Sequence, residues 1–195
     1  AKDYINRAAD AGWVSGVGGG LFQPNGTLTR AMFVTMLAGL AGVDEADYPG
    51  STFPDVPVGQ WYAPSVAWAA SEEIVSGTGS GRFEPNRNIT RQEMAQIMAS
   101  YLAWKGVDTT PGTDPADYNI PDRADIAGWA LDSVCFCYEK GLLSGRDTGF
   151  APLANASRAE ACVVLCELND FLLKRGGLLP ARSGGNKVNI LWTWG

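Results

Sequence analysis

Three segments of this chain carry one ordered pattern: Val14-Ser15-Gly16 through Leu28-Thr29-Arg30, Val75-Ser76-Gly77 through Ile89-Thr90-Arg91, and Leu143-Ser144-Gly145 through Ala156-Ser157-Arg158. The copies agree in kind as well as in spacing. Phe22, Phe83 and Phe150 each stand two residues before a proline (Pro24, Pro85, Pro152), and the arginines follow one another at 61 and then 67 residues. A recurrence of this length is the mark of stacked supersecondary units, each unable to bury its apolar face alone. With 46% hydrophobic and 18% charged residues, the 195-residue chain has enough apolar matter for three such units to form one body.

Charge and composition narrow the function. A net charge of -6 argues against binding nucleic acid through bulk electrostatics, so an anionic ligand has to meet a local basic site. Histidine is absent, which removes the commonest general base and metal ligand and disfavours hydrolase triads and catalytic zinc. There is neither an apolar run long enough to span a bilayer nor a signal peptide, so the chain reads as soluble and as processed or excised from a longer one.

The second copy is the most complete. It opens on Phe53-Pro54-Asp55-Val56 and Trp61-Tyr62, and the helical spacing of Tyr62, Val66, Ala69, Ala70 and Ile74 predicts a first helix over residues 61–73. Gly77, Gly79, Gly81, Pro85 and Asn88 then make a structured loop anchored by Phe83. Thr90-Arg91-Gln92-Glu93 has capping-box form and starts a second helix, with Met94, Ile97, Met98, Tyr101 and Leu102 as its apolar stripe and Gly106 at its end. The third copy repeats this order with Ile120-Pro121-Asp122, Trp129, a helix over 130–140 and Ser157-Arg158-Ala159-Glu160, its second helix running to Lys174. The first copy has half a capping box, with Met32 where the others carry glutamate, and Ala1 aligns with Tyr62, so counterparts of Phe53, Asp55 and Trp61 would precede residue 1. These boundaries divide the chain into repeats at 1–42, 53–106 and 120–174, with a tail, 175–195, whose Val188–Trp194 segment reads as a strand or an apolar docking piece of unknown role.

Phe-Pro-Asp-Val, a tryptophan six residues after that aspartate, Ser-Gly-x-Gly-x-Gly-x-Phe-x-Pro and Thr-Arg-x-Glu, in this order and almost three times over, resemble the S-layer homology family across residues 1–173. The resemblance implies an all-α fold of three tandem helix-loop-helix repeats, packed as a pseudo-threefold helical prism with glycine-rich loops. It also implies a secreted, noncovalent anchoring module at the bacterial cell wall or S-layer. Its partner would be a cell-wall polysaccharide bound in grooves between repeats, typically a secondary cell-wall polymer ending in a pyruvylated sugar. Some relatives bind modified peptidoglycan instead.

The residues support such a role independently. Arg30, Arg91 and Arg158 each fall at the first position of a helix, where the macrodipole favours an anion and disfavours a cation. An anion held there would meet free amides and a guanidinium together, and a planar carboxylate, such as that of a pyruvate ketal, suits the arginine fork. The competing reading is that each arginine pairs internally with Asp55, Asp122 or a capping glutamate and pins the repeats together. Trp61 and Trp129 sit at helix starts, where an indole either packs in the core or stacks on a sugar; the resemblance moves them, with Asp55 and Asp122, toward the groove. Ser15, Gly16, Ser76, Gly77, Gly79, Ser144 and Gly145 would let a sugar approach the backbone, although turn geometry alone also requires glycines.

The four cysteines all lie in the third repeat. Cys137, Cys162 and Cys166 align with small apolar residues of the other copies, which predicts free, buried thiols acting as small hydrophobes; Cys135 aligns with Asn6 and Ala67 and is expected to be more exposed. Asp44, Glu45 and Asp47 cluster without the ligand order of a calcium loop, so no metal or cofactor is expected. Glu93 and Glu160 are the conceivable glycosidase pair, but both have capping work, and the reading is a binding module rather than an enzyme. Packing against other S-layer subunits is the structural alternative.

Overall fold

The computed structural model describes residues 1–17, 20–50, 53–146 and 148–176. The 175–195 tail therefore lies almost wholly outside the described residues. Those residues form an all-α fold: α1 (Lys2–Asp10), α2 (Arg30–Ala41), α3 (Ala63–Ser71), α4 (Arg91–Trp104), α5 (Leu131–Glu139) and α6 (Arg158–Lys174), with short 3-10 turns in the connectors. No helix among the described residues is long and apolar enough to cross a membrane.

Local chemistry sets the helix starts. In α4 the Thr90 hydroxyl accepts from the Glu93 amide while the Glu93 carboxylate accepts from the Thr90 amide, and Ser157 and Glu160 do the same for α6. In α2 the Thr29 hydroxyl accepts from the Met32 amide, and methionine returns nothing. Gly42, left-handed at φ 70°, closes α2, a conformation that costs glycine no Cβ clash.

Packing crosses the repeat boundaries. The second helix of one repeat lies on the first helix of the next, α2 on α3 and α4 on α5, and α6 on α1 closes the circle. Between the ends, Tyr4 donates to Glu167 Oε1 at 2.9 Å, and Arg7 pairs with Asp170. One continuous core results, with Phe33, Trp68, Phe83, Tyr101, Phe136 and Phe150 among its largest fully buried side chains.

A second ring of contacts runs through the helix N-termini. The Arg30, Arg91 and Arg158 amides donate to the carbonyls of Arg87, Ala154 and Gly26, and the next amides, of Ala31, Gln92 and Ala159, donate to Pro85, Pro152 and Pro24. Single antiparallel bridges, Thr29 to Asn88, Thr90 to Asn155 and Ser157 to Thr27, accompany them. Each repeat is thus capped by the loop of the next, and the third by the first.

All four cysteines are free and buried. The expectation of a more exposed Cys135 is corrected: it is fully buried, because the connector turns at Pro115–Asp117 and Gly128–Ala130 pack on α5 in addition to α4. Burial pushes the Cys162 thiol up to about 11, consistent with an inert hydrophobe.

Candidate functional site

The arginines occupy one constellation three times. Arg30, Arg91 and Arg158 are 5%, 2% and 5% exposed, and each inserts into the loop of the following repeat. There its Nε donates to a phenylalanine carbonyl (Phe83, Phe150 and Phe22, at 2.9, 2.8 and 3.0 Å) and its Nη2 to a serine carbonyl (Ser76, Ser144 and Ser15, at 3.4, 2.5 and 2.7 Å). The guanidinium carbon stands 4.9, 5.0 and 4.5 Å from the centroid of that phenylalanine ring. The loop serines Ser15, Ser76 and Ser144 are exposed, as are Gly16, Gly79 and Gly145, with Gly77 partly so. A buried cation therefore lies directly beneath an exposed polar loop in every repeat. A Cβ on Gly77 or Gly145 would stand 2.9 Å from a loop carbonyl, of Arg82 or Gly149, so these glycines are required by the loop itself.

Two of the three arginines are paired with a carboxylate from within. Arg30 pairs with Glu93 at 3.2 Å and Arg91 with Glu160 at 2.5 Å. Arg87 and Arg146 hold the same glutamates from the other side, at 2.5 and 3.0 Å. Burial pushes both glutamates up, but the capped amides and two arginines each outweigh it and hold them below the usual carboxylate range. Burial likewise pushes all three arginines down, opposed by Glu93 for Arg30 and by Glu160 for Arg91.

The aspartates act on the same loops. Asp55 accepts from the amides of Phe83 and Glu84 at 2.9 and 2.8 Å, and Asp122 from those of Phe150 and Ala151 at 2.7 and 2.6 Å. Both oxygens of each carboxylate clamp the loop whose phenylalanine carbonyl receives the arginine. Trp61 and Trp129, by contrast, face solvent at 56% and 59% exposure.

One physical expectation fails here. The helix N-termini present no row of free amides, because the first two amides of α2, α4 and α6 are taken by the neighbouring loop and the third by the capping hydroxyl. An anion at these loops has to be met by the guanidinium edge. Sequence reasoning also missed Arg87 and Arg146, which occupy different places in their repeats, so internal alignment gives them no signal.

Two equivalent cavities open beside the loops. One, of about 220 Å³, is lined by Gly12, Trp13, Ser15, Thr35, Gly39 and Ser65. The other, of about 280 Å³, is lined by Tyr4, Arg91, Ser144, Arg146, Glu160 and Glu167. At the α4–α5 counterpart, Ser133 donates to Gln96 at 2.9 Å, whereas the Thr35 and Ser65 hydroxyls are buried without a partner among the described residues. Thr35→Val is therefore expected to stabilise the chain by about 1 kcal/mol in urea unfolding, since it removes an unsatisfied hydroxyl at constant shape; an equal loss would show that the hydroxyl is satisfied. Among the described residues, no group of three metal-ligating side chains comes together.

The S-layer homology domain family profile matches residues 1–32, 52–95 and 119–162. The chain is 32% identical over 166 residues, 85% of its length, to an amylopullulanase of Thermoanaerobacterium thermosulfurigenes. It is 31% identical over 160 residues, 82% of its length, to the S-layer protein sap of Bacillus anthracis, and 31% identical over 160 residues, 80% of its length, to a cellulosome-anchoring protein of Acetivibrio thermocellus. It spans 9%, 19% and 35% of these three relatives, a minor part of each.

Proposed function

Because the chain belongs to the S-layer homology domain family, we propose that this cell-surface anchoring module holds its parent protein to the wall by binding, noncovalently, an anionic secondary cell-wall polysaccharide, with a pyruvylated sugar as the recognised group. The observation that carries this reading is the threefold placement of a buried arginine under an exposed Ser-Gly loop, in a chain whose overall charge is -6. Local positive potential under a polar, backbone-rich loop suits a sugar bearing a carboxylate. Trp61 and Trp129, both exposed, supply apolar faces and indole N–H groups for further rings of the polymer.

The role is binding rather than turnover. Glu93 and Glu160, the carboxylates considered for glycoside hydrolysis, are each engaged by a backbone amide and two arginines, and they sit in different repeats. Packing of the repeats against other S-layer subunits is the structural alternative to glycan binding.

Cosedimentation tests the reading. The chain is expected to pellet with cell walls that retain their secondary polymer and to stay in solution with walls stripped of it. Equal pelleting with both would transfer recognition to modified peptidoglycan, and no pelleting with either would favour a purely structural role.

A further inference from the structure

We propose that the three loops are unequal, and that the loop over Arg158 is where the ligand's carboxylate seats, taking there the place that a glutamate fills in the other two copies. This rests on the glycan-anchoring reading above. In the second repeat, Glu93 Oε2 accepts from the Thr90 amide at 2.9 Å while Oε1 accepts from Arg30 Nη1 at 3.2 Å. In the third, Glu160 Oε2 accepts from the Ser157 amide at 2.8 Å and Oε1 from Arg91 Nη1 at 2.5 Å. A carboxylate thus bridges an N-cap amide and the Nη1 of the preceding repeat's arginine, twice.

The corresponding residue of the first repeat is Met32. Arg158 keeps its bonds to the Phe22 and Ser15 carbonyls and is as buried as its counterparts, yet no carboxylate among the described residues pairs with it. The positions of Arg87 and Arg146 are taken by Gly26 and Val17, which bring no charge. Burial depresses Arg158, opposed by the Cys162 thiol and by no carboxylate. The Thr29 amide is also without an acceptor among the described residues, since the bridge to Asn88 is built from the Leu28 carbonyl and the Arg30 amide. Nη1 of Arg158 has no hydrogen-bond partner among the described residues, its Nε and Nη2 being the atoms that donate.

A ligand carboxylate with one oxygen on the Thr29 amide and the other on Arg158 Nη1 reproduces the arrangement that Glu93 and Glu160 make internally. Met32, half-buried and unbranched, is the side chain that has to shift to admit it. At Arg30 and Arg91 the Nη1 position is already taken by Glu93 and Glu160, so the internal carboxylate occupies the seat there.

The test is calorimetric titration of the full chain with a synthetic hexose carrying a pyruvate ketal, with its methyl ester as control. The parent is expected to bind the acid at least about tenfold more tightly than the ester. Met32→Glu, which supplies the carboxylate from within, is expected to lose about tenfold in affinity for the acid while its Tm rises, and Met32→Ala to keep the parent's affinity. Equal affinity in the parent and Met32→Glu would overturn the assignment to this loop and leave the anchoring reading standing. An equal loss in Met32→Ala would do the same, by showing that the methionine packs on the ligand. A folded parent that binds neither the ketal nor polymer-bearing walls would overturn both.

Discussion

Arg91→Ala is expected to remove about 3–5 kcal/mol of folding stability, the cost of breaking a buried pair by deleting one partner. Against a total of about 5–15 kcal/mol for a domain, this is a large fraction, worth roughly 10 °C in Tm. The side chain is 2% exposed and makes three hydrogen bonds, to Phe150, Ser144 and Glu160, all to the following repeat. Its loss orphans two loop carbonyls and opens the joint between the second and third repeats. Arg91→Lys should recover little, since an ammonium cannot reach a phenylalanine carbonyl, a serine carbonyl and a carboxylate in one planar fork. Arg158→Ala should cost less, about 2 kcal/mol, because it breaks two carbonyl bonds and no ion pair. Urea unfolding of the three variants beside the parent checks the order; equal costs for Arg91 and Arg158 would show that the glutamates contribute nothing to the joint.

Those contacts explain what the sequence did and did not reveal. Everything local was legible: the helix starts at Arg91 and Arg158 follow from Thr90-x-x-Glu93 and Ser157-x-x-Glu160, and the apolar stripes carry α4 to Trp104 and α6 to Lys174. Both proposed uses of the arginines, groove ligand and internal pin, were also readable from the spacing. What could not be read was direction. Arg30 reaches Phe83, 53 residues on, and Arg158 reaches Phe22, 136 residues back, because the order of contacts is set by α1 closing on α6. The acceptors are main-chain carbonyls, which leave no mark in residue identity.

The aspartates teach the same lesson. Asp55 and Asp122 were placed toward the groove through their resemblance to a family pattern, and the fold puts each on two loop amides 28 and 29 residues away. The one departure visible in the alignment, Met32 in place of glutamate, turned out to mark the loop whose buried arginine has no acid. Met32, together with Gly26 and Val17 at the places of Arg87 and Arg146, gives the first repeat electrostatics different from the other two.

The most direct test of the anchoring account is calorimetric binding of the chain to purified secondary cell-wall polymer before and after chemical removal of its pyruvate. Hydrogen bonds to a charged group are worth about 1.5–3 kcal/mol, so the account predicts that affinity falls by at least about tenfold when the carboxylate is removed. Trp61→Ala and Trp129→Ala should weaken binding to either polymer alike, since stacking does not depend on the acid. Undiminished binding of the pyruvate-free polymer by the folded parent would contradict recognition of a carboxylate.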